Sequence, residues 1–327
     1  FSFSVTQTAI DQAKVEKLAK DFRMTGLKNQ DILQFLRKVF REEGLGDVIK
    51  VVSLNNDAVG TLATQRYRDK NCDVGGIVGT GTNFCYVEST ENIRTLTDQQ
   101  KARYGKKTMV INIESGNFNK MPRNIYDRIL DNDSTNRGEH IEEKAVSGLY
   151  LGELTRLALT DLINKGLLFK KKLTQKEKNK IAQKGSFHTP AMTKISGDDS
   201  ASLKGVQAQL EKWGIKSGHI SLDDKKVVKE ICAIVARRAA RITTAVIFAI
   251  VTHMDRNIQR YHTVGIDGSL FEKHPFFKKD MEEAMRELSM EAFGDNRCEK
   301  ISFELTTDGS GVGAAVIAAM AASSAHS

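Results

Sequence analysis

Short apolar runs alternate with longer stretches of helical spacing along most of the chain. The apolar runs predict buried strands, and they lie at residues 49–54, 74–78, 84–88, 109–113, 263–266 and 301–305. Segments whose apolar residues recur every three or four positions predict helices, and they lie at residues 10–22, 31–42, 138–168, 202–213, 223–253, 276–288 and 314–322. The polar segment 173–199 has no clear period and is interpreted as irregular. A chain of 327 residues with this alternation predicts an α/β protein of about two domains.

The first candidate for chemistry follows the apolar run 49–54. Asn56 and Asp57 stand where this run ends, and open α/β sheets place ligands at the ends of their strands. A carboxylate in that position is well placed to act as a general base. An Asn-Asp pair is also common as a helix cap or a turn, so both interpretations stay open on these residues alone.

The second candidate is the turn Gly79-Thr80-Gly81 after residues 74–78. Glycines have no side chain, so the backbone N–H groups of such a turn can close on an anion and form a phosphate cradle. A hairpin turn leading into residues 84–88 is the simpler alternative. A general base combined with groups that stabilise charge on phosphoryl oxygens is what phosphoryl transfer to a hydroxyl requires.

An ordered set of motifs extends these two candidates. Residues 56–61 read Asn-Asp-Ala-Val-Gly-Thr and residues 77–83 read Ile-Val-Gly-Thr-Gly-Thr-Asn. They closely resemble the eukaryotic hexokinase patterns Asn-Asp-Thr-Val-Gly-Thr and Ile-Val-Gly-Thr-Gly-x-Asn. Further matches follow in the same order at residues 1–3, 113–118, 143–153, 267–269, 274–275 and 308–311. The resemblance therefore covers essentially the whole chain.

The resemblance implies a fold and an activity. The implied fold is α/β, of the ribonuclease-H-like, actin-type ATPase class. In that fold, residues 1–56 complete a small domain and residues 57–327 form the large domain. The implied activity is transfer of the γ-phosphoryl group of ATP, with Mg²⁺, to the 6-hydroxyl of a hexose, with glucose as the expected sugar. This is the first step of glycolysis, so a cytoplasmic location is expected.

The resemblance also assigns roles to individual residues. Asp57 is the expected general base. The expected sugar ligands are Ser2, Lys20, Asn56, Asn83, Glu114 and Glu143. The expected nucleotide contacts are Thr80, Gly81, Gly148, Thr193, Gly268 and Ser269, and no protein ligand to the metal is assigned. Apart from the resemblance, Glu114 reads as a cap for the following turn, and Glu143 and Lys20 read as solvated surface residues.

Three departures from the family pattern keep other functions open. Ala19 and Asp21 replace a threonine and a glycine beside Lys20, and Ser115 replaces a tryptophan after Glu114. Ala19 lacks a hydroxyl that would bond a sugar, and an unpaired sugar hydroxyl costs about 1–3 kcal/mol. One alternative is therefore a sugar sensor that binds hexose but turns over poorly. A further alternative is a basic scaffold protein whose resemblance is only ancestral.

Charge and cysteine content narrow the expected partners. The net charge is +8, but the charges are interspersed and aromatic residues make up only 7% of the chain, so no nucleic-acid partner is expected. Four cysteines without Cys-x-x-Cys spacing indicate reduced thiols of an intracellular protein. The longest apolar stretch, residues 242–251, is too short to span a bilayer.

The start of the chain falls inside the hexokinase pattern. The chain begins at Phe1, and it contains no counterpart of the Asp-Leu-Gly-Gly-Thr phosphate loop that hexokinases carry upstream. The chain is therefore expected to be the C-terminal two-thirds of one hexokinase lobe. Its oligomeric state stays open.

Overall fold

The computed structural model describes residues 6–9, 12–14, 30–105, 107–170 and 173–324. Near the start, strands β1 (Thr6–Ala9) and β2 (Gln12–Lys14) pair antiparallel. The helix predicted over residues 10–22 is therefore wrong where the chain is described. The backbone of β2 pairs with that of β1, and this pairing prevails over an imperfect helical apolar face.

A five-stranded mixed sheet lies at the centre of the fold. Its strands are β3 (Cys72–Val78), β4 (Thr82–Ser89), β5 (Thr108–Asn112), β6 (His262–Asp267) and β7 (Ile301–Leu305). The strand order is β5-β4-β3-β6-β7. β4 pairs antiparallel with both β3 and β5, whereas β6 pairs parallel with β3 and β7. The predicted strands from residue 74 onward and the α/β class are thereby confirmed.

Helices surround the sheet. They are α1 (Ile32–Glu42), α2 (Asp57–Arg68), α3 (Asp98–Tyr104), α4 (Ile125–Asn132), α5 (Ile141–Val146), α6 (Gly148–Asn164), α7 (Gln175–Ala182), α8 (Thr189–Ser196), α9 (Lys204–Trp213), α10 (Leu222–Met254), α11 (Ser269–Lys273), α12 (Phe277–Phe293) and α13 (Gly309–Ser324). The helices predicted from residue 31 onward are confirmed. None of the helices in the described residues is long and apolar enough to cross a membrane.

The polar segment 173–199, predicted to be irregular, forms α7 and α8. α7 begins with a capping box, in which Thr174 and Glu177 each bond the backbone of the other. Ile181 is the buried apolar residue of this helix. One buried apolar residue cannot produce a repeating apolar pattern in the sequence. This helix is therefore defined by its N-terminal cap and by tertiary packing.

The strand predicted at residues 49–54 is wrong. Val51 and Leu54 are buried, in a small cluster with Ile32 and Leu33 of α1, but residues 49–54 do not pair as a strand with another strand in the described part of the chain. The carbonyl oxygen of Val51 instead accepts hydrogen bonds of 3.0 and 2.8 Å from the side chain of Arg37. Among the described residues no strand lies beside it, so an apolar run that looks like a strand remains an extended connection.

The two faces of β3 pack against different layers. Val74 and Val78 belong to the main core, which includes buried residues of α6, α8, α10 and α12. Ile77 packs instead with Ala58 and Leu62 of α2. The sheet is therefore covered on both faces, and α2 is held so that its first residue, Asp57, lies near the carboxyl end of β3.

A close helix crossing fixes α2 from the other side. α13 packs on α2, and a Cβ atom added at Gly313 would lie only 2.0 Å from the carbonyl oxygen of Gly60. Glycine is needed at this position because a side chain would push the two backbones apart. Together, β3 and α13 position the start of α2.

Candidate active site

A cavity of about 360 Å³ opens where β3 and β6 end. It brings together eight of the residues predicted from the sequence, namely Asp57, Thr80, Gly81, Asn83, Glu114, Glu143, Gly268 and Ser269. Ser2 and Lys20, with Ala19 and Asp21, lie outside the described residues. Carboxylates from three separate segments therefore face the same space as the glycine turn.

Asp57 is the first residue of α2, and its neighbour Asn56 is the N-cap. Asn56 Oδ1 accepts the Ala58 N–H at 2.8 Å, and Asp57 Oδ1 accepts the same N–H at 2.9 Å. The two interpretations of this pair are thus compatible, because Asn56 caps the helix while Asp57 lines the cavity.

Asn83 connects the helix cap to the far wall of the cavity. Its Nδ2 donates to Asn56 Oδ1 at 3.3 Å and to Asn112 Oδ1 at 2.8 Å. Its Oδ1 accepts the Phe84 N–H at 2.7 Å. Asn56, predicted as a sugar ligand, is absent from the cavity lining among the described residues, and this hydrogen bond links it to the cavity residue Asn83.

Glu114 follows β5 and begins the 3-10 turn Ser115–Asn117. It has a left-handed backbone with φ of 52°, and its side chain makes no capping hydrogen bond to that turn. The capping interpretation of Glu114 is therefore wrong. A side chain in this backbone region costs roughly 1–3 kcal/mol, and such strain clusters at functional sites. Here the strained residue directs its carboxylate to the cavity, where Asn112 Nδ2 donates to Oε1 at 2.8 Å.

Glu143 in α5 is buried rather than solvated, with only 5% of its surface exposed. Its Oε2 accepts the Thr82 N–H at 3.2 Å, which joins α5 to the start of β4. Its Oε1 lies 4.0 Å from Nδ1 of His140, another cavity residue. The surface interpretation of Glu143 is therefore wrong.

Glu142, the neighbour of Glu143, is a buried acid that the sequence did not single out. Its side chain is fully buried, and among the described residues no donor lies within hydrogen-bond distance of either carboxyl oxygen. Burial, reinforced by the charge of Glu143, raises the pKa of Glu142 to about 8. Glu142 is therefore neutral at pH 7, and it adds no second negative charge beside Glu143.

The raised pKa of Glu142 predicts a pH-dependent stability. Between pH 4.5 and about 8 the unfolded chain ionises this group while the folded chain keeps it protonated. Folding stability is therefore lost as pH rises through that range, by up to roughly 5 kcal/mol. We expect Glu142→Gln to unfold at a higher denaturant concentration than the unmodified protein at pH 8, with a much smaller difference at pH 5.

Denaturant unfolding at both pH values measures this effect. Glu291→Gln, at an exposed position of α12, is the matched control and should show no gain that grows with pH. A gain for Glu142→Gln that shrank as pH rose would mean that the Glu142 carboxylate is charged and stabilising in the folded protein.

The start of α6 holds the glycine turn on one side through backbone hydrogen bonds. The N–H groups of Gly148 and Leu149 donate to the carbonyl oxygens of Gly79 and Thr80 at 2.7 and 3.2 Å. A Cβ atom on Gly148 would lie 2.8 Å from the Gly79 carbonyl oxygen, so Gly148 supports the turn rather than lining the cavity. The hairpin interpretation is also correct, because the turn connects β3 to β4.

Gly268 lets the end of β6 approach the same turn. It has φ of 127°, a region that side chains rarely adopt, and an added Cβ would lie 2.5 Å from Val78 backbone atoms. Ser269 then begins α11 at the cavity wall. Thr193 is not brought to this cavity within the described part of the chain, and its hydroxyl donates to the Thr189 carbonyl oxygen at 3.3 Å inside α8.

Six further residues line the cavity without having been assigned a role from the sequence, namely Ile77, Thr82, Gly116, His140, Asp267 and Ser310. Asp267 stands at the end of β6, and its Oδ2 accepts the Gly309 N–H at 2.8 Å. A carboxylate directly after an apolar strand was the signal that could have identified it. His140 has a left-handed φ of 52°, which no sequence pattern indicated.

Family models show where the chain belongs. One model, described as Hexokinase, matches residues 73–320, and a second model of the same description matches residues 1–67. The chain belongs to the hexokinase family. The order of motifs along this hexokinase chain and the cavity that they build are consistent with that assignment.

Individual relatives agree. Hexokinase-2 of Rattus norvegicus is 38% identical over 98% of this chain and 34% of its own length. Hexokinase-1 of Homo sapiens is 37% identical over 98% of this chain and 33% of its own length. This hexokinase chain thus spans about a third of the length of the curated relatives that it matches.

Solved structures confirm the fold. A hexokinase from Schistosoma mansoni complexed with glucose has a TM-score of 0.80 and 30% identity, and the match covers 98% of this chain and 68% of that one. A second structure, described as a crystal structure of hexokinase, has a TM-score of 0.75 and 27% identity over 98% of this chain and 66% of that one. The predicted ribonuclease-H-like, actin-type ATPase fold is therefore confirmed.

Proposed function

We propose that the complete protein transfers the γ-phosphoryl group of ATP, with Mg²⁺, to the 6-hydroxyl of a hexose, and that glucose is this hexose. The observation that carries the proposal is the cavity itself, where Asp57 at a helix start, the carboxylates of Glu114 and Glu143, and the turn around Gly79 all meet. Membership of the hexokinase family and the glucose complex of a relative support the same reaction.

The sugar is proposed to lie between the three carboxylates. Glu114 and Glu143 each have one carboxyl oxygen in a hydrogen bond to the protein, at 2.8 and 3.2 Å, which fixes these side chains before any ligand binds. A carboxylate can accept further hydrogen bonds, so each glutamate is suited to sugar hydroxyls. Asn83 would bind beside them, with Asn56 orienting it. Ser2 and Lys20 remain proposed sugar ligands on the family pattern.

Asp57 is proposed to take the proton of the accepting hydroxyl as its oxygen forms the bond to the phosphoryl group. The N-cap holds the start of α2 while this carboxylate faces the cavity. Positioning and charge stabilisation do most of the work in phosphoryl transfer. A base on a rigid helix start therefore suits the reaction.

The nucleotide is proposed to lie along the glycine turn, against Thr80, Gly81, Gly268 and Ser269, with Gly148 supporting the turn. Thr193 remains a proposed adenine-side contact on the family pattern alone. In the described residues no three or more His, Cys, Asp or Glu side chains are arranged so that they could hold a metal ion by themselves. Mg²⁺ commonly binds through one or two carboxylates plus substrate phosphates. Because Asp57 is proposed as the base, Asp267 is the cavity aspartate that fits such a role.

We also propose the domain boundary and the location that the sequence indicated. Ile32, Leu33, Val51 and Leu54 form a core cluster separate from the main one, which supports a boundary between residues 1–56 and 57–327. The four cysteines are free and buried, consistent with a reducing cytoplasm.

An assay of ATP consumption by the complete protein tests the proposed activity. We expect consumption that saturates with added glucose. 6-Deoxyglucose, which lacks the accepting hydroxyl, should bind but support no consumption. Glucose binding without ATP consumption would instead indicate a sugar sensor, and binding of neither glucose nor ATP would contradict both functions.

A further inference from the structure

Asn112 stands behind the cavity, at the end of the edge strand β5. It is exposed, and it is absent from the cavity lining among the described residues. Its Cα partner across the sheet is Cys85 of β4, which leaves Asn83 as the diagonal neighbour two residues earlier. Diagonal neighbours on one face of a sheet are within reach of longer side chains. Asn112 therefore meets Asn83 on one side and Glu114, two residues later in its own chain, on the other.

The hydrogen bonds of Asn112 have a defined direction. Its Nδ2 donates to Glu114 Oε1 at 2.8 Å, and its Oδ1 accepts from Asn83 Nδ2 at 2.8 Å. An ionised carboxylate can only accept, so the NH₂ group of Asn112 must face Glu114 and its carbonyl oxygen must face Asn83. This orientation in turn requires the NH₂ group of Asn83 to face Asn112.

The hydrogen bonds of Asn56, at the helix-cap end of this series, require the same orientation of the Asn83 amide. The Ala58 N–H can only donate, so Asn56 must present its carbonyl oxygen at the start of α2, at 2.8 Å. That oxygen also accepts from Asn83 Nδ2 at 3.3 Å. The three asparagines therefore form one directional series from the helix cap to Glu114. Asn112 is the member that joins the two walls of the cavity.

We propose that Asn112 is a positioning residue for hexose binding, which sets the carboxylate orientation of Glu114 and supports the amide orientation of Asn83 that Asn56 and the Phe84 N–H also hold. This inference rests on the proposed function, because it concerns the sugar side of the same cavity. Asn112 does not touch the sugar; it acts through the two side chains that do. Because Glu114 has a strained left-handed backbone, a fixed hydrogen bond to its carboxylate is particularly useful at this position.

Two variants of Asn112 separate this role from a simple packing role. Asn112→Asp keeps the size of the side chain and an acceptor for Asn83, but it places a second carboxylate against Glu114. Asn112→Ala removes both hydrogen bonds and leaves room for water to replace them. A positioning role predicts that the aspartate variant is the more damaged of the two, whereas a packing role predicts the reverse.

The test measures KM for glucose, KM for ATP and thermal stability in the complete protein. We expect Asn112→Asp to raise KM for glucose about 10- to 100-fold, since hydrogen bonds to charged groups are involved. Asn112→Ala should raise it less, and KM for ATP and the melting temperature should stay close to the unmodified values. The exposed position predicts this small effect on stability.

Asn92→Asp is the matched control. Asn92 is exposed and donates to Glu88 Oε1 at 2.9 Å, the same type of bond outside the cavity. Loss of this hydrogen bond in Asn92→Asp should leave KM for glucose unchanged. An unchanged KM in Asn112→Asp, a greater effect in Asn112→Ala, or a parallel change in KM for ATP and stability would overturn the proposal. If the unmodified protein binds no hexose, the proposed function itself has failed.

Discussion

Asp57→Ala is expected to lower kcat of the complete protein by roughly 10²- to 10⁴-fold, the usual loss when a general base is removed. Hexose binding should be largely retained, because Glu114, Glu143 and Asn83 are unchanged. The fold should persist as well. Asn56 Oδ1 accepts the same Ala58 N–H that Asp57 accepts, so the start of α2 remains capped. Steady-state kinetics with saturating glucose and ATP measure the effect on kcat.

Asp47→Ala is the control for this prediction, since it removes an aspartate from an exposed loop outside the cavity. Its kcat should match that of the unmodified protein. A near-normal kcat in Asp57→Ala would contradict the assignment of the base. A loss of kcat accompanied by an equal loss of folded protein would assign Asp57 a structural role instead.

Glu143→Gln is expected to weaken glucose binding by about 10- to 100-fold, because hydrogen bonds from sugar hydroxyls to a charged acceptor would be replaced by weaker ones to an amide. The substitution preserves size, and the glutamine carbonyl can still accept the Thr82 N–H that Glu143 accepts at 3.2 Å. The loss should therefore appear in the dissociation constant for glucose, measured by calorimetric titration, with little change in unfolding.

Glu139→Gln provides the comparison, because it makes the same chemical change at an exposed position four residues earlier. Its affinity for glucose should equal that of the unmodified protein. If Glu143→Gln bound glucose as well as Glu139→Gln does, Glu143 would be a structural acceptor for Thr82 and the sugar would have to lie elsewhere.

Elements with a strong local pattern were the ones predicted well. The strands β3, β6 and β7 are continuous or alternating apolar runs, and α10 keeps its helical period over many turns. The prediction of a strand at residues 49–54 was wrong because an apolar run forms a strand only when another strand lies beside it. α7 was missed because its capping box and one buried isoleucine carry no period.

The sequence by itself determined two parts of the candidate site. It indicated a helix cap or turn at Asn56 and Asp57 and placed a glycine turn at the end of a strand, because caps, strands and turns are encoded by neighbouring residues. Through the order of its motifs it also indicated the family. These features depend on short-range interactions, which a single sequence shows directly.

Only the tertiary structure decided which carboxylates share the cavity. Glu142 and Glu143 are adjacent in the chain, yet one is a neutral buried acid and the other faces the cavity and binds the Thr82 N–H. Glu114 reads as a turn cap until β5 pairs with β4 and brings Asn112 between it and Asn83. Burial and long-range pairing arise from residues far apart in the chain, and so they appear only when the sheet and helices assemble.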